Sequence, residues 1–508
     1  MALKLFKSVV KSATQGVTSD PELQKVVARY PRFFGFFKKR LTPDERFGLH
    51  LTVGALITII FIFIFFGVVQ DVIGREPLIA ADLRIINLIQ IFQTPLLSKI
   101  MLLITYLGNW QIICLGIIFV GAYLIFVKRF YYLLALLVSV GGGEIFVWLV
   151  KHIIARPRPP LINALVREDG FSFPSGHMFV AISFYGLITY FIWHRKKNFW
   201  IRTADLIIGL IIIAAIGLSR VYLGVHWPSD VLASIAAGLA WLAVIITALE
   251  IRRKFSRRPR GLPFFTPSGR SFLGLAMGVV WLLFVGYFFS SHPLITHSVL
   301  ATDKERLLNK QELPDGLFNN LPKTSENITG IPMEPINLIF VAGKKELIDV
   351  FQQKEWYLTD PITVKTMWHM VKAAIFNESY PQAPGTPTFW DSRPNDFAFE
   401  HGTAEQSIRE RHHVHFWDTP FVLADGRAVW FATAHFDKKL ELGKNLMPAH
   451  TIDPAIDKER DNIKTDLLAT GKVETIREFK IVEPTLGKNQ SGDLFFTDGK
   501  AEIIFLKK

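Results

Sequence analysis

The chain has 508 residues, long enough for two or three domains, and half of them are hydrophobic, with a mean hydropathy of +0.29. That excludes an ordinary soluble enzyme over the full length, because the apolar excess lies before residue 292. The formal charge of +13 is also split: residues 301–508 carry 26 Lys+Arg against 31 Asp+Glu, a net of −5, which leaves +18 on the first 300.

A basic half built around apolar segments is the composition of a membrane protein gripping anionic headgroups. Basic residues flanking spans explain the pI near 9.6 better than nucleic-acid binding does. In chain order, residues 1–47 read as a basic arm lying on the cytoplasmic surface. It places Phe6, Val9 and Val10 beside Lys4, Lys7 and Lys11, and later Arg32-Phe33-Phe34 beside Lys38-Lys39-Arg40. Runs long enough to cross hydrocarbon fall at 49–69, 110–127, 131–150, 178–193, 204–222, 229–249 and 271–290. The stretch 83–106 is amphipathic, is interrupted by Gln90, Gln93 and Pro95, and reads as one interfacial or re-entrant helix. The lone Cys114 excludes an intrachain disulfide and decides nothing about compartment.

Orientation follows from the positive-inside rule. The arm, Lys128-Arg129, Arg195-Lys196-Lys197, and Arg252-Arg253-Lys254 with Arg257-Arg258 all fall on one side, expected to be cytoplasmic. The polar clusters discussed next then share the opposite face with everything after residue 290, a periplasmic face in a bacterium. The expected organisation is the arm, a membrane core over 48–250, a basic cytoplasmic loop over 251–270, a seventh span over 271–290 and an outer domain over 291–508. The fold class is an all-α polytopic helix bundle, six core helices plus one extra span, with a C-terminal soluble α+β domain.

Three polar clusters interrupt the apolar half. Lys151 ends a span, where a cation can snorkel, cap carbonyls or bind an anion. Arg158, in Arg156-Pro157-Arg158-Pro159-Pro160, sits in a proline-stiffened loop, and its planar fork suits phosphate oxygens. For Arg156 a solvated position is the simpler expectation. Pro174-Ser175-Gly176-His177 precedes a span: Gly176 leaves room for an anion at the helix start, and Ser175 is either an N-cap or a phosphate donor. Ser219-Arg220 is followed by His226 and Asp230, four residues apart. Asp230 either answers the helix dipole or accepts the imidazole N–H of His226 and frees the other nitrogen to attack. Glu144 lies within a span after Gly141-Gly142-Gly143 and is expected to face the bundle interior.

Together these residues spell Lys-x6-Arg-Pro, Pro-Ser-Gly-His and Ser-Arg-x5-His-x3-Asp, eleven specified positions in order from Lys151 to Asp230. The pattern resembles the signature of the type 2 phosphatidic acid phosphatase superfamily. The resemblance implies that His226 is the nucleophile and His177 the general acid, with Asp230 orienting His226. Lys151, Arg158, Ser175, Gly176 and Arg220 would bind phosphate. It also implies turnover through a phosphohistidine with no metal and no cofactor, on a membrane phospholipid or polyprenyl phosphate such as undecaprenyl diphosphate, phosphatidic acid or phosphatidylglycerol phosphate. A lipid phosphotransferase and a non-catalytic lipid-handling or secretion-linked module are the alternatives. The soluble vanadium haloperoxidases of the superfamily fit poorly, because this core is apolar.

Beyond residue 301 the chain reads as strands at Pro335–Val341, Val414–Trp417, Ala428–Phe436, Glu474–Val482 and Ala501–Leu506, with helices at Lys344–Lys354, Pro361–Phe376 and Asp453–Ala469. Asp425-Gly426 marks a hairpin. The stretches Arg411-His412-His413-Val414-His415-Phe416-Trp417, Trp430…His435-Phe436-Asp437 and His450…Asp453…Asp457 resemble the LssY-type C-terminal domain, which brings no assigned chemistry. His413, His415, His435, His450, Asp453 and Asp457 are either a divalent-metal set or a hydrogen-bonded cluster. Trp390, Trp417 and Trp430 read as core.

Overall fold

The structure, a computed structural model, describes residues 21–41, 48–74, 77–160, 164–195, 197–255, 267–291 and 306–308, and residues 313–507 except 314–315, 319–320, 377, 403–409, 443–447 and 490–491. Phe6, Val9 and Val10 lie outside the described residues. Of the arm, the described residues 21–41 form two amphipathic helices, α1 (Pro21–Arg29) and α2 (Pro31–Leu41), and α2 exposes Phe33 and Phe36.

The bundle follows as α3 (Leu49–Gly74), α4 (Pro77–Gln90), α5 (Pro95–Tyr106), α6 (Trp110–Phe126), α7 (Phe130–Ile154), α8 (Gly176–Arg195), α9 (Phe199–Tyr222), α10 (Pro228–Phe255) and α11 (Pro267–Ser291). Six of these, α3 and α7 through α11, are long and apolar enough to cross a membrane alone. The expected span over 110–127 is α6, which reaches that length only together with α5, across a bend of 45°. The single helix expected over 83–106 is in fact two, α4 and α5. The chain breaks where Thr94 caps the N-terminus of α5 and accepts from the Leu97 N–H, with Pro95 in the first turn, where its missing N–H is not needed. The seventh span α11 packs on α5 and α6 through Trp281, Val285 and Phe288.

The glycines of α7 let helices approach closely. A Cβ on Gly143 would lie 2.5 Å from the Phe179 ring, and one on Gly142 2.9 Å from Trp241. Glu144, expected to point inward, is instead on the exposed side of α7. Helix α8 contains a π-turn over Ile182–Gly186, one turn beyond the Ser-Gly-His start. At one end of the bundle, Arg195 covers the ring of Tyr123 and Arg252 that of Tyr131. The three polar clusters gather at the other end.

The C-terminal domain is built on a mixed sheet whose main strands are β1 (Leu338–Ala342), β2 (Tyr357–Leu358), β3 (Phe397–Gly402), β4 (Arg411–Leu423), β5 (Ala428–Leu442), β6 (Val473–Lys480) and β7 (Lys500–Leu506), in the order β6-β7-β1-β5-β4-β3-β2. Only the β1/β7 pair on this path is parallel. Gly426, at φ +85°, turns β4 into β5 as the Asp-Gly signal requires. Helices α12 (Lys344–Gln352) and α14 (Asp457–Leu468) share a core with Phe399, Val414, Phe416 and Trp430, while Trp390 and Trp417 are buried in a second core. Helix α13 (Val364–Phe376) lies over a smaller cluster with Tyr380.

The two halves meet at α4. Arg84 pairs with Glu326, and the Asn87 amide donates to the Ser392 carbonyl at 2.8 Å. Gly330 lies against the Arg84 guanidinium, where a Cβ would come within 2.9 Å.

Candidate active site

The site is assembled from the ends of four helices. Helix α7 ends at Ile154, where Ala155 adopts a left-handed conformation and turns the chain into the proline-rich loop. Lys151, in that last turn, donates to the Phe171 carbonyl at 2.6 Å and lies within electrostatic reach of Arg158, Arg220, Glu168 and Asp230. The start of α8 is tied to the start of α10 by the Ser175 N–H, which reaches the Asp230 carbonyl at 3.4 Å. The Pro-Ser-Gly-His and Ser-Arg-x5-His-x3-Asp segments therefore sit at one mouth.

His226 occupies the loop between α9 and α10 and is buried. Its Nδ1 faces Asp230 Oδ2 at 3.3 Å, and its Nε2 lies 3.4 Å from Arg158 Nη1. Burial pushes the imidazole down to about 4, against the opposing pull of Asp230. The ring is thus neutral near pH 7, with one nitrogen oriented and the other aimed at a guanidinium.

Arg158 also donates to the Val225 carbonyl at 2.7 Å and the Gly170 carbonyl at 3.1 Å. Burial holds its guanidinium below the usual arginine value. Arg220 lies in the final turn of α9 rather than just past it, is buried, and donates to Thr105 Oγ1 at 2.6 Å. Ser175 stands at the N-cap position of α8, but its hydroxyl makes no capping bond and is buried without a hydrogen-bond partner, as is Arg220 Nε. A Cβ on Gly176 would meet only Val147, at 3.7 Å, so the space before this helix start is open. Unused N–H and O–H donors around an open helix N-terminus are what an anion requires.

His177 Nε2 contacts Asn109 Oδ1 at 2.8 Å, from the turn between α5 and α6. The same turn brings Gly108 so close that a Cβ would lie 3.0 Å from the His177 ring. The structure thus brings all eight predicted residues, Lys151, Arg158, Ser175, Gly176, His177, Arg220, His226 and Asp230, to the same end of the bundle.

Four further residues escaped the sequence reading. Arg156, expected to be solvated, is buried: Nη1 donates to Asp230 Oδ1 and Ser229 Oγ, both at 2.7 Å, and Nη2 to Asp82 Oδ2 at 2.6 Å. Asp82, on α4, also accepts from the Ser229 N–H at 2.9 Å, and burial raises its carboxyl above the usual range. Asp230 is therefore gripped on Oδ1 by Arg156 and on Oδ2 by the Trp227 N–H at 3.0 Å. Nothing local in the sequence ties Asp82 to residues nearly 150 positions away. Asn109 had no signal either. Glu168 pairs with Arg220 and, at 3.1 Å, with Arg158; against the upward push of burial, Arg220, with His177 and His226, holds its carboxyl well below its usual value. It occupies the two guanidinium groups with a carboxylate, a group that shares charge and oxygen geometry with phosphate.

Residues 132–254 match the PAP2 superfamily, and residues 318–501 match the LssY C-terminus family. The chain is 32% identical over 186 residues to phosphatidylglycerophosphatase B of Bacillus subtilis, covering 35% of this chain and 88% of that protein. It is 25% identical over 202 residues to an undecaprenyl-diphosphatase of Sulfolobus acidocaldarius, covering 38% of this chain and 89% of the relative. Among solved structures, that of a transmembrane PAP2-type phosphatidylglycerolphosphate phosphatase from Bacillus subtilis aligns at 29% identity and a TM-score of 0.35, covering 40% of this chain and 98% of the other.

Proposed function

As the chain belongs to the PAP2 superfamily, we propose that it is an integral membrane phosphatase that hydrolyses lipid phosphate or diphosphate esters through a phosphohistidine on His226. The observation that carries this reading is the orientation of His226, with Nδ1 on Asp230 and Nε2 facing Arg158. Lys151, Arg158, Arg220, the Ser175 hydroxyl and the N-terminus of α8 hold the phosphoryl oxygens. His226 Nε2 attacks phosphorus as the bond to the leaving oxygen breaks, and His177 protonates that oxygen. Water then attacks the phosphohistidine, His177 takes its proton, and the P–N bond breaks to release phosphate. Fixed cations supply the charge stabilisation, so turnover is expected to persist with chelator present in the assay.

The positive-inside rule supports a cytoplasmic assignment for the basic end of the bundle, where Arg195 and Arg252 sit on tyrosines, and with it an outer, periplasmic location in a bacterial inner membrane for the site and the C-terminal domain. The relatives' names direct the first trials to phosphatidylglycerol phosphate and undecaprenyl diphosphate. The test is phosphate release by the purified protein in detergent from these lipids and phosphatidic acid, beside His226→Ala. Free phosphate from the native protein and none from the variant supports the reading. A newly phosphorylated lipid would mark a transferase, and unchanged turnover by a folded His226→Ala protein would remove the nucleophile.

A further inference from the structure

We propose that the C-terminal domain holds a divalent transition-metal ion, zinc by donor chemistry, between His413, His415, His435 and Glu400. This goes beyond the phosphatase reading and does not depend on it. It also departs from the expectation of a protein with no cofactor, which was drawn from the membrane half.

Sheet register builds the set. His413 and His415 are two apart on β4 and so share a face. Strand β5 sets His435 directly across from His413, and β3 sets Glu400 across from it on the other side. The rings of His413 and His415 are 4.2 Å apart, and that of His435 lies 5.6 and 5.8 Å from them. One nitrogen from each ring lies within 4.8 Å of the others. In a tetrahedral zinc site with Zn–N near 2.0–2.1 Å, such nitrogens are about 3.3 Å apart, so movements of about 1 Å per ring close the set.

The hydrogen bonding decides between a metal and a merely structural cluster. Each ring has one nitrogen beside an oxygen: His413 Nδ1 is 3.6 Å from Asp437 Oδ2, His435 Nε2 is 3.4 Å from Asp437 Oδ1, and His415 Nε2 is 3.3 Å from Thr388 Oγ1. The other nitrogens, His413 Nε2, His415 Nδ1 and His435 Nδ1, are buried with no hydrogen-bond partner. Glu400 Oε1 is likewise buried and unpartnered, 3.9 Å from His413 Nε2, while Oε2 accepts from Arg411. A hydrogen-bonded histidine cluster would use these atoms on one another. Left as they are, three imidazole nitrogens and a carboxylate oxygen are buried without partners, an arrangement that buried polar groups avoid. A cation between the three rings would satisfy the imidazole nitrogens, with Glu400 Oε1, 3.9 Å from His413 Nε2, as its fourth ligand, and the oxygens behind the rings are the outer partners that orient metal-binding imidazoles.

Gly385 adds a steric reason. A Cβ there would lie 2.5 Å from His413 Cε1, 2.8 Å from Nε2 and 3.7 Å from Glu400 Oε1, beside the space the ion needs. The donors are enclosed, which fits a structural ion clamping three strands. Asp453 and Asp457 are not part of the set. Asp453 pairs with Lys438 and Asp457 with Thr497 and Arg460, while the side chain of His450 lies outside the described residues.

The test is zinc content of the full-length protein in detergent, by mass spectrometry after stripping, loading with zinc sulfate and desalting, with circular dichroism as the control for folding. One zinc per chain is expected, with cobalt(II) giving the visible absorption of a tetrahedral site. Asp437→Asn should weaken zinc binding by about 10- to 100-fold, and Gly385→Ala should weaken it as well. His226→Ala should keep the full complement. A folded native protein without stoichiometric zinc, an octahedral cobalt spectrum, or unchanged affinity in a folded His413→Gln/His435→Gln protein would each overturn the assignment.

Discussion

The molecule holds two buried histidine centres of opposite electrostatic character. At the membrane site one imidazole, His226, stands with a carboxylate behind it and guanidinium groups in front, beside an unused serine hydroxyl. In the C-terminal domain three imidazoles stand with carboxylates on both sides, Glu400 and Asp437, and Arg411 reaches both of them. Burial depresses His226 and His413 alike, each to about 4, so both rings are neutral near pH 7. The difference lies in what surrounds them. A neutral imidazole among cations can attack an anion that those cations hold, whereas imidazoles flanked by carboxyl groups are ligands for a cation.

The sharpest way to break this comparison is Asp230→Asn. At the membrane site the change keeps shape but replaces one of the two acceptor oxygens with an NH2 donor and removes the charge, so a single oxygen must serve both Arg156 and His226, and kcat is expected to fall by about 10²–10⁴-fold. Kinetics and zinc content of the same preparation test both halves: a loss of metal on this change, or no loss of turnover, contradicts the division of roles.

Arg156→Met is expected to act on stability as well as rate. It leaves Asp82 and Asp230 buried without their shared cation, a loss of about 3–5 kcal/mol. Thermal unfolding in detergent measures it. A variant as stable as the native protein would mean that Asp82 is neutral and already satisfied by Ser229, which donates to it through both N–H and hydroxyl.

The two centres also differ in how far they could be read from sequence. The membrane site was legible because its residues cluster at helix ends: Lys151 in a last turn, Gly176 and His177 in a first turn, and His226 and Asp230 on either side of a Pro-started helix. Hydrophobic runs locate such ends directly. What supports them from a distance was not legible: Asp82 on an amphipathic helix, Asn109 in a short turn and Glu168 in a loop. Arg156 was misread because a charged residue in a proline loop looks solvated until its two carboxylate partners are known. In the C-terminal domain the helices and most of the longer strands followed from periodicity; Phe397–Gly402 was not among the expected strands, and Thr324–Glu326, Phe389–Trp390, Arg393–Pro394 and Thr485–Lys488 are too short to show alternation. The His413/His415 spacing was visible, whereas the addition of Glu400 and the exclusion of Asp453 and Asp457 depend on strand register and tertiary partners.

Glu168 sharpens the comparison further, since it puts a carboxylate among the phosphate-binding cations. An incoming phosphate must displace it from Arg158 and Arg220. Glu168→Gln is expected to lower KM by about 10-fold, the scale of one charge-assisted hydrogen bond, with kcat within about threefold. A higher KM would show that Glu168 positions the arginines rather than competing for them.

The smallest expected effect is a near absence of one. A histidine at its ordinary value of about 6.5 would lose about 25-fold of its neutral form between pH 7 and pH 5. With its value pushed down to about 4 by burial, His226 stays neutral over that interval and becomes protonated and unreactive only as pH falls through 4. Between pH 7 and 5, after correction for the second ionisation of the lipid phosphate at about 6, kcat/KM should therefore change by less than about twofold through this residue. Because Asp230 raises the value, Asp230→Asn should move the acid limb to lower pH rather than higher. A limb centred near 6.5 in the native enzyme would mean that water reaches His226, and the contrast between a dry nucleophile among cations and a dry ligand set among carboxylates would then fail on its first side.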